Sequence, residues 1–237
     1  MDRTVQREKL RARQEKIEAR IRAACERSGR RREEVTIVAV TKYVDTDAIG
    51  DLLAAGIRHI GENRVQDALP KYNVFGQDGI WHFIGHLQTN KVKDVVGKFT
   101  YIHSLDRVSL AAEIDKRAKA LGIVVPCFVQ INVAEEETKF GLRPKDVLAF
   151  FAETSNMSHI RIIGLMTMAP QVDDPEEARP VFRGLREWRE RIRELPYGNL
   201  AVEELSMGMS GDFEVAIEEG ATFIRLGSVL VKDEEES

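Results

Sequence analysis

Cysteine is scarce in this chain. Only Cys25 and Cys127 occur, too few for a disulfide framework or a thiolate zinc site. The pair fits a reducing compartment with both thiols free. Charge of one sign is not in excess either, since 35 Lys and Arg stand against 39 Asp and Glu. So close to balance, the chain has no overall electrostatic drive onto nucleic acid or an anionic membrane surface. Long apolar runs are missing as well. Residues 118–134, the longest nearly uncharged stretch, contain Lys119, Gly122, Pro126, Gln130 and Asn132, and are too short and broken to span a bilayer. The first 34 residues are dense in Arg, Lys and Glu and lack the apolar segment of a secretory signal. These absences predict a cytoplasmic protein. No linker rich in Pro, Gly or Ser divides the 237 residues, and that length can bury one sizeable α/β core.

What the chain does have is alternation. Residues 5–27 contain no Pro or Gly and read as a helix. Leu10, Ile17, Ile21 and Ala24 share its narrow apolar face, which predicts packing on the body of the domain. Beyond it, eight short apolar runs occur at 35–40, 58–61, 80–85, 100–104, 126–133, 160–166, 202–206 and 222–226. Helical patterns separate them at 46–55, 64–71, 89–97, 106–121, 144–154, 174–194 and 211–219. Asp45, Asp106 and Asp173-Asp174-Pro175 are suitable openings for helices, and Gly56, Gly97, Gly122 and Gly220 suitable ends. Strict β-α alternation implies parallel strands with right-handed crossovers. Eight such units predict a single (β/α)8 TIM-like barrel of the α/β class with an additional N-terminal helix. An open doubly wound sheet is the rival on pattern alone. The expected division is an N-terminal helical segment at 1–34, the barrel at 35–230 and an acidic tail at 231–237.

Parallel barrels bind ligands at the carboxyl ends of their strands. The run ends therefore nominate Thr41 and Lys42, Glu62 and Asn63, His86, Ser104, Asn132, Met166 and Thr167, residues 206–210, and residues 225–228. The set is polar and basic, with no carboxylate cluster for a metal. The five histidines are scattered without metal-site spacing, so no metal is expected. Lys42 follows the apolar run ending at Thr41 directly. It holds an amine at the barrel mouth, where it can act as a nucleophile toward a carbonyl, although many strand-end lysines are merely solvated. The turn from Leu205 to Asp212 and the segment Arg225-Leu-Gly-Ser228 are rich in Gly and Ser. Backbone N–H groups and hydroxyls of this kind cradle phosphate, which barrels often bind after strands 7 and 8. Taken with Lys42, they point to a phosphate ligand carrying an aldehyde.

Seven blocks in order then become informative. They are Val40-Thr-Lys42, Gly61-Glu-Asn-Arg-Val-Gln66, Trp81-His-Phe-Ile-Gly-His-Leu-Gln-Thr-Asn-Lys91, His103-Ser-Leu-Asp106, Gly164-Leu-Met-Thr-Met168, Leu205-Ser-Met-Gly-Met-Ser210 and Ile224-Arg-Leu-Gly227. The set resembles the pyridoxal phosphate homeostasis proteins, which are similar to the amino-terminal barrel of alanine racemase. The likeness runs from about Val35 to Val229.

The resemblance implies a fold-type III barrel that holds pyridoxal 5'-phosphate as a Schiff base on Lys42. It implies that Ser210, Gly227 and Ser228 hold the phosphate, that Arg225 faces the pyridine nitrogen, and that Asn63, His86 and Met166 line the ring pocket. The implied role is intracellular vitamin B6 homeostasis without catalytic turnover, with apo pyridoxal phosphate enzymes as partners. Two departures stand out. The family continues after its last glycine-containing strand with Phe-Gly and a basic residue, where this chain reads Val229-Leu-Val-Lys-Asp. The second, β-rich domain of alanine racemase, which brings a tyrosine across a dimer, has no counterpart here, and a monomer is expected. A true amino-acid racemase is the alternative. It would need a second acid or base opposite Lys42, and none of Tyr43, Tyr72, Tyr101 and Tyr197 falls in such a motif. A barrel that binds phosphate without a cofactor is the third reading.

Overall fold

A computed structural model describes residues 3–231 of the chain. The elements are α1 (Arg3–Arg27), β1 (Thr36–Val40), α2 (Thr46–Ala54), β2 (His59–Glu62), α3 (Val65–Phe75), β3 (Ile80–Phe83), α4 (Val92–Val95), β4 (Tyr101–Leu105), α5 (Val108–Leu121), β5 (Val125–Gln130), α6 (Val147–Thr154), β6 (Ile160–Met166), α7 (Arg179–Arg193), β7 (Leu200–Ser206), α8 (Phe213–Glu218), β8 (Phe223–Leu226) and α9 (Ser228–Val231). The strands are parallel and close in chain order, with β8 returning to β1. The predicted barrel is the observed one and the open sheet is excluded. All eight strand runs are present, shifted by a few residues at their ends. The expected acidic tail lies outside the described residues apart from Val231 at its start.

Alternation along each strand sorts side chains to two places. In β4, Ile102 joins the large outer core between sheet and helices, whereas Tyr101 and His103 turn to the barrel interior. Among the described residues the interior holds a small buried apolar group, Val38, Phe128, Met166 and Phe223, with Tyr101 and Ile163 packed against it. Its remaining volume is filled by histidines, Ser206 and Arg225.

The apolar face read from the sequence anchors α1. Leu10, Ile17, Ile21 and Ala24 are all buried, joined by Cys25. Ion pairs fasten its flanks: Arg7 to Asp51 of α2 at 2.7 Å, Arg20 to Glu214 of α8 at 2.9 Å and Arg27 to Glu218 at 2.6 Å. Of the expected caps, Asp45 accepts from the Ala48 amide at 2.9 Å and Asp174 from Glu176 at 3.0 Å. Asp106 does not cap α5. Its carboxylate is taken up by the Arg107 guanidinium at 2.6 Å, and Arg107 is the residue at the cap.

Gly164 shows how tightly β6 and β7 pack. A Cβ there would lie 2.2 Å from the Glu204 carbonyl oxygen and 2.7 Å from its carbon. Backbone cannot yield as a flexible side chain can. Gly164→Ala is expected to destabilise the barrel by about 1–3 kcal/mol. Gly198→Ala, with open space around it, is expected to stay within about 0.5 kcal/mol. Urea unfolding midpoints of the two variants compare them, and equal midpoints would contradict the packing argument.

Candidate functional site at the carboxyl end of the barrel

Adjacent strands bring the nominated residues together. Val40 of β1 pairs with Gly61 of β2, and Ala39 pairs with Leu226 of β8. One or two residues beyond those pairs stand Lys42, Asn63, Gly227 and Ser228. The Thr41 amide donates to the Gly61 carbonyl at 3.0 Å, extending the ladder to the residue before the lysine. Lys42 is partly buried, and its Nζ lies 4.8 Å from the centre of the Tyr43 ring. Tyr43 is 82% exposed, so it forms the rim.

A buried ion pair braces the backbone that carries Lys42. Lys71 of α3 donates to Glu62 Oε1 at 2.8 Å and to the Thr41 carbonyl at 2.6 Å, while the Thr41 hydroxyl donates to the same carboxylate oxygen at 2.5 Å. Glu62 Oε2 and, one residue on, Asn63 Oδ1 are buried without a hydrogen-bond partner. An unmatched acceptor at the mouth marks a place where a donor from a ligand would be favoured.

The turn after β7 and the end of β8 form one cradle. Ser210 Oγ accepts from the Gly227 amide at 3.3 Å, and the Arg225 amide donates to the Gly208 carbonyl at 3.0 Å. Asp212 Oδ1 accepts from the Met209 amide at 2.6 Å, closing the turn before α8. Gly208 has φ of +90°, and a Cβ on it would meet Ala216 Cβ at 2.6 Å. The turn therefore needs glycine for conformation and for space. Ser210 is partly exposed and Ser228 exposed, so both hydroxyls are open to a ligand.

Arg225 lies beneath, 4% exposed. It donates to Ser206 Oγ at 2.7 Å and to the Thr167 carbonyl at 2.9 Å. Burial pulls its pKa down to about 10, against the opposing charge of Asp212. His86 stands apart on the outer side of the mouth, exposed, stacked on Phe140 at 4.1 Å and 3.5 Å from Asp106. Met166 has no exposed surface and belongs to the interior apolar group. Lys42, Asn63, Ser210, Arg225, Gly227 and Ser228 are thus grouped by β1, β2, β7 and β8, with His86 and Met166 at its margins. Among the described residues no cluster of three or more side chains suits a metal ion. None of the described helices is long and apolar enough to cross a membrane.

Sequence reading missed the interior polar line. His59 Nδ1 is 2.9 Å from His82 Nε2, His82 Nδ1 is 2.9 Å from His103 Nε2, and His103 Nδ1 is 2.8 Å from Ser206 Oγ. The signal was present in the spacing, since the three histidines recur one β-α unit apart on β2, β3 and β4. The spacing is not that of a metal site, and a strand position alone does not say that the three rings meet. Lys71, on a helix, had no strand-end position to reveal it.

The comparisons with known proteins agree with this fold. The family described as "Alanine racemase, N-terminal domain" matches residues 13–235. A pyridoxal phosphate homeostasis protein of Aquifex aeolicus is 47% identical over 212 residues, 89% of this chain and 92% of that protein. Among solved structures, a Bifidobacterium adolescentis protein described as unknown has a TM-score of 0.89 at 32% identity, with 97% of each chain covered. PipY of Synechococcus elongatus, solved with PLP bound, has a TM-score of 0.77 at 36% identity, covering 84% of this chain and 92% of that one. Fold and strand-end residues together define a barrel of the alanine racemase amino-terminal class. Within that class, the chain belongs to the pyridoxal phosphate homeostasis protein family.

Burial holds the pKa of His82 and His103 well below the ordinary histidine value, helped by neighbouring histidines and, for His103, by Arg225. Unfolded, each binds a proton below about pH 6.5, while the folded forms stay neutral. Stability is therefore unaffected above that pH and falls as the pH drops beneath it, by about 1.4 kcal/mol per pH unit for each residue. Urea unfolding between pH 6.5 and 5 is expected to show this slope, and His82→Phe to flatten it. A slope that His82→Phe leaves unaltered would contradict the assignment.

Proposed function

We propose that this chain binds pyridoxal 5'-phosphate covalently through Lys42 and serves vitamin B6 homeostasis by holding the cofactor and releasing it to apo-enzymes. The observation that carries the reading is the convergence of three features at one barrel mouth. An amine follows β1, a Ser210–Gly227 cradle joins the turns after β7 and β8, and a buried guanidinium lies beneath them. The residues fit the cofactor's polar parts. Open hydroxyls and backbone N–H groups suit a phosphate dianion, and the unpartnered Asn63 Oδ1 awaits a donor. When bound, the cofactor supplies an aldehyde that condenses with an amine.

The chain's own residues orient that group. Glu62, Lys71 and Thr41 hold the backbone before Lys42, so the amine is presented from a rigid strand end. Ser210 and Ser228 anchor the phosphate end. Arg225, a donor without a lone pair, would face the cofactor's ring nitrogen and disfavour its protonation, which would weaken the ring as an electron sink. Asn63 lines the ring pocket, with His86 and Met166 at its margins.

The carrier reading is supported by the placement of the four tyrosines, the residue type that a racemase of this class would set opposite Lys42. Tyr72 packs with Trp81 and Phe99, Tyr101 stacks on His82 inside the barrel, and Tyr197 packs against the outer core. Tyr43 lies beside Lys42 on the same turn. The reading includes a monomer acting in the cytoplasm.

Borohydride treatment of the loaded protein is expected to fix the cofactor on Lys42. A reduced adduct mapped to another lysine, with none on Lys42, would overturn the assignment. Ser210→Ala removes a hydroxyl from the phosphate cradle and is expected to weaken pyridoxal phosphate binding by about 1.5–3 kcal/mol, while pyridoxal binding changes little. Equal losses for both ligands would place Ser210 away from the phosphate.

Carrier and racemase separate in deuterated water. Incubation with L- or D-alanine is expected to yield little racemisation or deuterium at Cα, while the loaded protein passes its cofactor to an apo-enzyme. Rapid racemisation that disappears in Lys42→Ala would make the protein a racemase.

A further inference from the structure

The line His59–His82–His103–Ser206–Arg225 runs from the amino-terminal end of the barrel to the floor of the site, each link between 2.7 and 2.9 Å. It is built from inward-facing positions of β2, β3, β4, β7 and β8. His82, His103 and Ser206 have no exposed surface, and only His59 is partly open. The direction of its hydrogens follows from counting donors. A guanidinium has no acceptor, so Ser206 Oγ accepts from Arg225. The serine then has one hydrogen to place, and its other partner is His103 Nδ1. If Nδ1 carried a hydrogen instead, the oxygen would accept twice and the hydroxyl hydrogen would be left buried without an acceptor, the costly arrangement.

The remaining tautomers follow from that first link. With His103 Nδ1 accepting, its hydrogen sits on Nε2 and donates to His82 Nδ1. His82 then carries its hydrogen on Nε2 and donates to His59 Nδ1. His59, the last ring, turns Nε2–H toward the open end. All three rings are neutral in this scheme, and the surroundings favour that. Phe128 stacks on His103 at 4.1 Å, Tyr101 stacks on His82 at 4.7 Å, and Phe223 lies against all three rings. The charged groups acting on the line are Arg58 at the His59 end and Arg225 at the other, both disfavouring imidazolium. Glu204 acts on Tyr101, and Asp212 acts on Arg225.

We propose that His59, His82, His103 and Ser206 form a positioning relay: a hydrogen-bonded line of fixed direction, every imidazole an Nε2–H tautomer, that locks the Arg225 guanidinium in place beneath the cofactor ring. The line keeps an acceptor turned to Arg225, so Nη1 and Nη2 are both engaged at Ser206 and Thr167 and the group cannot swing. A proton can enter at His59 Nδ1 only by reversing the whole line and orphaning the serine hydroxyl, which insulates Arg225 from the opposite end of the barrel. The role assigned to Arg225 rests on the cofactor reading above, whereas the direction of the line does not.

The test begins with the ligand-free protein labelled with 15N at histidine. Long-range proton–nitrogen correlation is expected to show His59, His82 and His103 as neutral Nε2–H tautomers at pH 7.5. A hydrogen on Nδ1 of His82 or His103, or an imidazolium at either, overturns the proposal. Label at arginine then reports the Arg225 Nη hydrogens. Ser206→Ala is expected to speed their exchange with solvent on the order of tenfold or more, and Ser206→Thr, which keeps the hydroxyl, to bring it back toward wild type. Exchange unaltered in Ser206→Ala also overturns it. Borohydride mapping on wild type separates the two readings. No adduct on Lys42 removes the cofactor reading and leaves the tautomers as measured, while Nδ1–H tautomers remove the relay and leave the adduct in place.

Discussion

A cation almost wholly removed from water sits at the end of β8, and the interior of this barrel is arranged around its need for acceptors. A buried guanidinium is costly unless its N–H groups find partners. Arg225 finds two, the Ser206 hydroxyl at the end of the neighbouring β7 and the Thr167 carbonyl just past β6, one strand further round the wall. The nearest carboxylate acting on it, Asp212, is itself buried and engaged with the Met209 amide. Once Ser206 is committed to Arg225, its hydrogen must go to His103, and the histidines behind it must follow in order. Apolar layers normally fill a barrel of this kind. Here the apolar share is the small group of Val38, Phe128, Met166 and Phe223, with Tyr101 and Ile163 packed on it, and Phe128 and Phe223 lie against the histidine rings.

The mouth and the floor are held by different devices. At the mouth, strand ends β8, β1 and β2 stand side by side, and the Glu62–Lys71 pair ties α3 to the carbonyl of the residue before Lys42. The lysine's backbone is fixed while its amine reaches over the Tyr43 ring. At the floor the fixing is done by the interior line. A ligand held between them would meet a nucleophile above and a directed positive charge below. The cradle of Ser210 and Gly227 would be at its side. That arrangement suits retention of a reactive aldehyde.

Alternation of apolar runs and amphipathic stretches was enough to derive eight strands, their order and the N-terminal helix. Each signal is local: a strand needs a few consecutive apolar residues, and α1 needs Leu10, Ile17, Ile21 and Ala24 on one face. The strand-end rule likewise nominated Lys42, Asn63, Ser210, Arg225, Gly227 and Ser228, and the closed sheet brings them to one end, because position along a parallel strand sets height in the barrel. Asp106 shows where local reasoning failed. An aspartate at a helix entrance is a good cap in isolation, but an adjacent arginine took its carboxylate.

The sequence by itself therefore determined the architecture, the end of the barrel that carries the site, and the chemical types gathered there. Tertiary structure alone decided which interior side chains touch. His59, His82 and His103 are 23 and 21 residues apart, and only closure of the sheet puts their rings within hydrogen-bond reach of one another and of Ser206, 103 residues beyond His103. Lys71 reaches Glu62 only because α3 folds back over β2. The physical reason is that hydrogen bonds between side chains act over about 3 Å and depend on the register of separate strands, which no pattern confined to one segment of the chain can specify.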